Sequence, residues 1–599
     1  MANCVMRFLP KSGIRADFDL LALCTLAFLY SLLIFSHGIY GYGILDWDAT
    51  FMVTEVFRRS IVLFGEPPLW NPYGCGGMPI IFHPQYPISP LWVGPPLLLG
   101  TVVGVKISIV LHFIIGAAGM VFLSRKLEFS RAGVWAATSI FVFSPFHSWH
   151  LFAGIGIFIG IMLLPWLVYF LLDSGHSYKS AYMAGVVVFL LITGLAPTMV
   201  IPIFMFIAIW FVFESFARRS PKLILGVTGA VAMGTLFSLF KVLYTLEFFQ
   251  RQGGRNTDYL IPALSFDILP HALFVPEKAL VLSSHLTELP PGFLDITDMW
   301  ELSVYIGIPA GIMVIIGIAT GFRKIWPLLL SMSVSLWVAA GYNADFSLFE
   351  FLHRLPIFDS MRYASRFRVG FFFGLALLAG MGMTVLSRKV KGTFMGLLAA
   401  LILIDLLMAS APLMYRTLHM PMDIIKIEQT PGPFRQVWML PIFHQPLKYT
   451  DYNTYPTGYR NEYLHIMKNI GIAKCYDPTP GRRATKGAGE PGYAGEIFSD
   501  SPSKIEGIDW TPRSAVVKIE REKEGLLFLN QNWDPGWNAE INGQSAEVVK
   551  AQGLVAVQTP AGKSTVRFYY LPREWLSTLA LSFVSIVLLG WLAFRRGRD

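Results

Sequence analysis

Apolar runs of roughly 17 to 25 residues recur along most of this chain, the length an α-helix needs to cross a hydrocarbon core. No other feature constrains the fold as strongly, because a backbone placed in lipid must satisfy its own polar groups, and a single segment does so only as a helix. The chain is 54% hydrophobic and only 15% charged, so few positions interrupt these runs. Runs near 18–38, 106–123, 132–147, 155–172, 181–196, 199–215, 223–245, 301–320, 325–341, 368–386, 393–411 and 574–594 predict about twelve transmembrane helices. The first follows a basic tail with Arg7, Lys11 and Arg15. No small-residue cleavage site comes after it, so it reads as an uncleaved anchor.

Cations sort the turns. The tail and the clusters Arg125/Lys126/Arg131, Arg218/Arg219/Lys222, Arg323/Lys324, Arg388/Lys389/Lys391 and Arg595/Arg596/Arg598 fall at every second turn, which places both termini in the cytoplasm. Only the turn from Asp173 to Ser180 lacks a cluster. The formal charge of +9 is then accounted for by loops facing anionic headgroups; the bilayer is the implied partner, and no nucleic acid is needed. The long segments, 39–105, 246–300, 342–367 and 412–573, all fall on the other side, where a membrane enzyme would build a site from loops. Cys75 and Cys475 both face that oxidising side, so the topology permits a bridge between them, although sequence sets no distance.

The expected architecture is an all-α polytopic bundle over 1–411, with active-site loops at 39–105, 246–300 and 342–367. A small extracytoplasmic β-rich domain over 412–573 precedes a final helix and basic tail over 574–599. Alternation predicts strands at Ala515–Ile519, Leu526–Leu529, Ala546–Val549 and Thr565–Tyr569, and Asn542-Gly543 marks a tight hairpin after Trp537–Ile541.

Two carboxylates, Asp46 and Asp48, stand where the first helix leaves the bilayer, a position where acids are costly unless solvated or used. Spaced two apart, they share a side only on extended backbone; the alternative is that Asp48 caps a helix from Ala49 through Arg59. Further along that loop, Trp70, Asn71, Tyr73, His83 and Gln85 offer flat faces and fixed hydrogen-bonding groups suited to a sugar, though aromatic residues also populate membrane interfaces. His147 and His150 lie three apart at the outer end of the third span; a divalent metal would need further ligands, and hydrogen bonding to substrate or headgroup is the simpler role. Arg362, Arg366 and Arg368 lie on the side where the positive-inside rule expects few cations, which suggests a bound anion such as phosphate. The competing reading for them is headgroup contact or an ion pair with Asp359. Glu247, Arg251, Arg255, Asp298 and Glu301 could pair with one another across the outer face, with Glu301 also placed to bind substrate.

These residues resemble the bacterial YfhO-like membrane proteins, within the GT-C class of polyprenyl-phosphate-sugar-dependent glycosyltransferases. The resemblance rests on the first-loop acids, Leu69-Trp70-Asn71-Pro72-Tyr73, Gly76-Gly77-Met78-Pro79, Trp300 to Gly307, Leu355-Pro356 to Arg366-Phe367, Asp534-Pro535-Gly536-Trp537, Asn542-Gly543 and Pro560 to Lys563, in that order. It implies a glycosyltransferase in the bacterial inner membrane with its site facing the periplasm or exterior. A polyprenyl-phosphate-linked sugar would be the donor, and a glycan, glycolipid or protein the acceptor. The essential first-loop acid of such enzymes falls on Asp48 or Asp46 here, with Asp48 the expected base and Asp46 its assistant. Where many of the class carry a second acid, this chain has His147 and His150, which leaves metal use undefined. The rival readings are a transporter or flippase of lipid-linked sugars, a polysaccharide polymerase or ligase, and a noncatalytic scaffold.

Overall fold

The computed structural model describes residues 17–41, 43, 46–81, 83–252, 263–275, 299–344, 346–418, 433–437, 462–473 and 484–595. Among these, eight helices are long and apolar enough to cross a membrane, or nine if Pro221–Phe237 and Leu239–Phe248, bent by 80° at their break, form one span. The protein is a multi-pass membrane protein, and the departure from twelve spans has a local cause at each place. The run at 132–147 breaks at Ser144, whose backbone is extended and whose hydroxyl accepts from Phe146 N–H, giving Arg131–Phe143 and Pro145–Phe152. The run at 181–196 becomes Tyr178–Gly194, 17 residues. The runs at 301–320 and 325–341 share one helical element, Ile308–Ala339, of 32 residues, which the count above takes as a single span.

That element cannot be a straight rod. Straight, it would be about 48 Å long. Its ends, however, are tied to nearby points: Ile306 N–H donates to Leu273 O at 3.1 Å and Leu264 N–H to Ala339 O at 2.9 Å. The chain from Leu264 to Leu273, partly coiled into the Leu269–Phe274 helix, reaches roughly 20–25 Å. The element therefore folds back on itself, and both limbs pack on the Arg368–Leu386 helix. A Cβ on Gly382 would lie 1.9 Å from Met313 O, and one on Gly374 would lie 2.3 Å from Met332 Sδ. Small residues here let helix backbones touch.

The basic turns gather at one end of the bundle. Arg125 pairs with Asp17, Lys126 with Asp173 and Arg131 with Asp19, while Lys179 sits 5.1 Å over the Phe594 ring. Outward faces of Gly392–Arg416 and Trp575–Arg595 expose Leu397, Met408, Phe583 and Trp591, as lipid contact requires.

At the other end, β1 (Trp70–Asn71) pairs with β2 (Met78–Pro79), and β3 (Arg435–Val437) runs parallel to β4 (Ile470–Ile472). The following strands are β5 (Ile497–Ser499), β6 (Ser503–Thr511), β7 (Ser514–Arg521), β8 (Gly525–Asn532), β9 (Trp537–Ile541), β10 (Gln544–Ala546), β11 (Val548–Ala551), β12 (Leu554–Thr559) and β13 (Gly562–Tyr570). They form two antiparallel sheets, β10-β9-β13-β7-β6 and β11-β12-β8-β5, whose inner faces bury Val517, Ile519, Leu527, Leu529, Val555, Val566 and Phe568. Asn542 and Gly543 take φ of 51° and 81° at the β9–β10 hairpin, the left-handed pair a type I′ turn demands. The stretch expected as one strand, Ala546–Val549, instead splits between the sheets at Glu547.

The sandwich is keyed to the first loop. Trp70 is 1% exposed, packs 5.1 Å from Trp537 and 4.6 Å from Tyr570, and donates to Gln531 Oε1 at 2.8 Å. Asn532 donates to Cys75 O and Gly77 O at 2.7 and 3.1 Å. Cys75 is disulfide-bonded. Cys475, the partner the topology permits, lies outside the described residues.

Candidate functional site

The acids sit at the start of a helix, not on extended backbone. Trp47–Val62 is helical with Asp46 at its N-cap position, so the two carboxylates diverge: Asp46 is exposed and Asp48 is 3% exposed. The helix start is seated on the turn after Pro145–Phe152, with Asp46 N–H on Ala153 O at 3.2 Å, Trp47 Nε1 on Leu151 O at 2.8 Å and Thr50 Oγ1 on Gly154 O at 3.1 Å. Gly154 is required there, since its φ is 85° and a Cβ would lie 2.3 Å from Trp47 N.

Asp48, Met52, Glu55 and Arg59 recur at helical spacing, and all four are buried. Along this stripe lies the short helix Glu462–Met467, whose Tyr463 N–H donates to Asp48 Oδ1 at 3.2 Å while Arg59 Nη2 meets Met467 Sδ at 3.4 Å. Glu55 accepts from Arg59 Nε at 2.9 Å, Arg58 Nη1 at 3.4 Å and Thr101 Oγ1. Burial pushes the Tyr73 hydroxyl up to about 12, against the pull of Arg59, and raises Tyr463 too, with Glu55 adding to the effect. Glu55, Arg58 and Arg59 were missed in the sequence. Their spacing of seven, ten and eleven from Asp48 is the signal that could have found them.

A second cluster forms around Glu301, which is fully buried. Arg366 grips its carboxylate through Nη2 at 2.7 Å and Nε at 3.0 and 3.2 Å, and donates Nη1 to Thr198 Oγ1 at 2.9 Å. Arg368, also fully buried, lies 3.7 Å from Glu301 and donates to Ser303 O, Ser365 O and Trp300 O. Glu301 thus pairs with Arg366 and Arg368; the side chains of Arg251, Arg255 and Asp298, with which pairing was expected, lie outside the described residues. Arg362 is half-buried at the edge, 5.4 Å over the Tyr363 ring, and precedes a 3-10 turn, Ala364–Phe367, so it does not share an α-helical face with Arg366.

His150 joins this cluster in a defined state. Burial chiefly, then the Arg368 and His147 charges, hold it well below its ordinary range. Neutral, it donates Nδ1–H to Phe146 O at 2.7 Å and accepts at Nε2 from Arg368 at 3.3 Å. His147 is equally buried, with Nε2 lacking a hydrogen-bond partner among the described residues. Also among the described residues, no group of three or more His, Cys, Asp or Glu is placed to hold a metal. The two sites approach through one segment: Phe158 lies 5.2 Å from the His150 ring and 4.9 Å from the Arg366 guanidinium, just beyond the turn that seats Asp46.

The loop residues expected to meet a sugar are turned inward. Trp70 serves the sandwich core. Asn71 is fully buried and accepts from Tyr73 N–H at 3.0 Å, closing its own turn. His83 is buried, stacks on Tyr86 at 4.0 Å and accepts from Gln85 N–H; Gln85 is half-buried.

Two lysines escaped notice in the sequence because they sit in apolar runs. Lys106 is fully buried and donates to Gly38 O at 2.9 Å; Lys241, 3% exposed, donates to Tyr86 O at 2.8 Å.

No family model matches this sequence, and no curated protein matches it. Among solved structures it is similar to the arabinofuranosyltransferase AftD from Mycobacteria, at 16% identity and a TM-score of 0.44, over 67% of this chain and 27% of that one. The chain thus spans about a quarter of the length of that protein.

Proposed function

We propose that the protein is an integral membrane glycosyltransferase of the bacterial inner membrane, transferring a sugar from a polyprenyl-phosphate carrier to a cell-envelope acceptor on the outer side. The observation that carries this reading is the placement of an exposed carboxylate, Asp46, at the end of the bundle opposite the basic turns, one segment away from a buried arginine cluster. Asp46, supported by Asp48 one helical step inside, accepts the proton of an acceptor hydroxyl as its oxygen attacks the anomeric carbon. The bond from that carbon to the carrier phosphate breaks with its electron pair on the phosphate, which needs cations rather than a proton to leave. Configuration at the anomeric carbon inverts. Arg362 is the arginine placed toward the edge for this charge, while Arg366 and Arg368 stiffen the floor beneath it through Glu301. His147, His150 and Gln85 remain candidates for shaping the sugar pocket.

Removing a general base costs about 100- to 10,000-fold. Asp46→Asn should lose sugar transfer in membranes by at least the lower figure, and Asp48→Asn should lose less while loosening the Glu462–Met467 helix. Full transfer by both variants would remove the base from the mechanism. A flippase is the second reading, favoured by the 80° break at Ser238 beside buried Lys241. Movement of a lipid-linked sugar across vesicles of purified protein, with no new glycosidic bond, would select it.

A further inference from the structure

Beside Arg362 at the edge, the carrier phosphate needs a further cation that no carboxylate already holds, and Arg366 and Arg368 are held by Glu301. Lys106 meets the requirement. Its ammonium is buried, and among the described residues its contacts are a backbone carbonyl, Gly38 O at 2.9 Å, and the face of Phe35 at 5.1 Å. A single carbonyl takes one of three ammonium protons, and a buried ammonium without an anion is an expensive arrangement.

Its setting suits a lipid phosphate. Lys106 lies roughly 29 Å along its helix from Arg125 at the basic end, and Arg368 lies roughly 27 Å along another helix from Leu386, just before the basic turn at Arg388, so both reach the outer headgroup level. The cover over the ammonium is thin. Among the described residues it includes Ser36 to Gly41, where Gly38 and Tyr40 are exposed, nothing lies within 4 Å of a Cβ on Gly38, and a Cβ on Gly41 would come 3.3 Å from Nζ and 2.4 Å from Leu418 O.

We propose that Lys106 binds the phosphate of the polyprenyl-linked donor, with Ser36 to Gly41 as the backbone edge over which that phosphate enters. This deepens the proposed function and rests on it.

The test uses the purified full chain in detergent, with thermal midpoint shifts read for a polyprenyl monophosphate, phosphatidylglycerol and inorganic phosphate. Polyprenyl monophosphate should raise the wild-type midpoint, with the other two at least tenfold weaker. Lys106→Gln still donates to Gly38 O but carries no charge, so it should keep its unliganded midpoint and bind the polyprenyl phosphate at least tenfold more weakly. Lys106→Arg should bind within a few-fold of wild type, and Asp46→Asn should bind normally while failing in transfer. Unchanged binding by Lys106→Gln overturns the assignment and leaves the glycosyltransferase reading standing. Equal response to phosphatidylglycerol also overturns it, as a general headgroup site. No response of the wild type to polyprenyl phosphate overturns the donor reading itself. Photo-crosslinking of a polyprenyl phosphate probe to the wild type needs no variant to fold: label in Ser36–Gly41 or at Lys106 supports the proposal, and label confined elsewhere overturns it.

Discussion

Without the Glu301 carboxylate, Arg366 and Arg368 would stay buried with their counter-charge gone, and breaking such a pair from one side costs about 3–5 kcal/mol. Glu301→Gln should therefore lower the unfolding midpoint in detergent strongly, whereas Glu350→Gln, at an exposed pair with Arg354, should change little. His150 adds a pH dependence whose sign is fixed by its lowered folded value. Below its ordinary 6.5 the unfolded chain takes up a proton that the folded chain refuses, so stability is full above that value and falls as pH drops through it. Midpoints measured from pH 7.5 to 5.5 should fall more for the wild type than for His150→Asn. At this scale the sequence made legible which residue types stand out of place, Asp46, Asp48, Arg362, Arg366 and Arg368 among them. It was not legible for partnership, because Glu301 and Arg366 meet across 65 positions that periodicity does not connect. Glu55 and Arg59 were hidden for a related reason: charges on an amphipathic helix read as a solvated face until another helix is seen to cover them.

Among the elements, the folded-back helix Ile308–Ala339 makes a sharp claim. Cysteines at Leu273 and Ile306 should crosslink, and so, in a separate variant, should cysteines at Leu264 and Ala339. A straight helix would allow only one of those pairs, since its ends would stand about 48 Å apart against roughly 20–25 Å between Leu264 and Leu273. The turn carrying Arg323 and Lys324 was readable as a break between two runs, because cations interrupt apolar sequence. The break at Ser144 was not, since Ser144-Pro145 lies inside an unbroken apolar stretch and acts through backbone geometry alone. The Asn542-Gly543 hairpin was readable because only that chemistry makes its turn cheaply, whereas the sheet switch at Glu547 depends on which inner face needs filling.

For the whole molecule, the sorting of charge predicts sidedness. In intact cells, a thiol reagent that cannot cross the membrane should label cysteine at Ile39 or Gly543 and spare cysteine at Lys389; the reverse pattern would invert the protein and remove the outward site. The sandwich, meanwhile, is fastened to the bundle by more than its flanking chain. Trp70 is built into its core, Glu66 meets Arg513 at 3.6 Å, and Asn532 at the end of β8 donates to Cys75 O and Gly77 O. Continuity of the polypeptide is therefore not what keeps the two parts together. Residues 1–418 and 433–599, produced as separate pieces, should find each other and reassemble, and the sandwich should unfold in step with the helices instead of melting first.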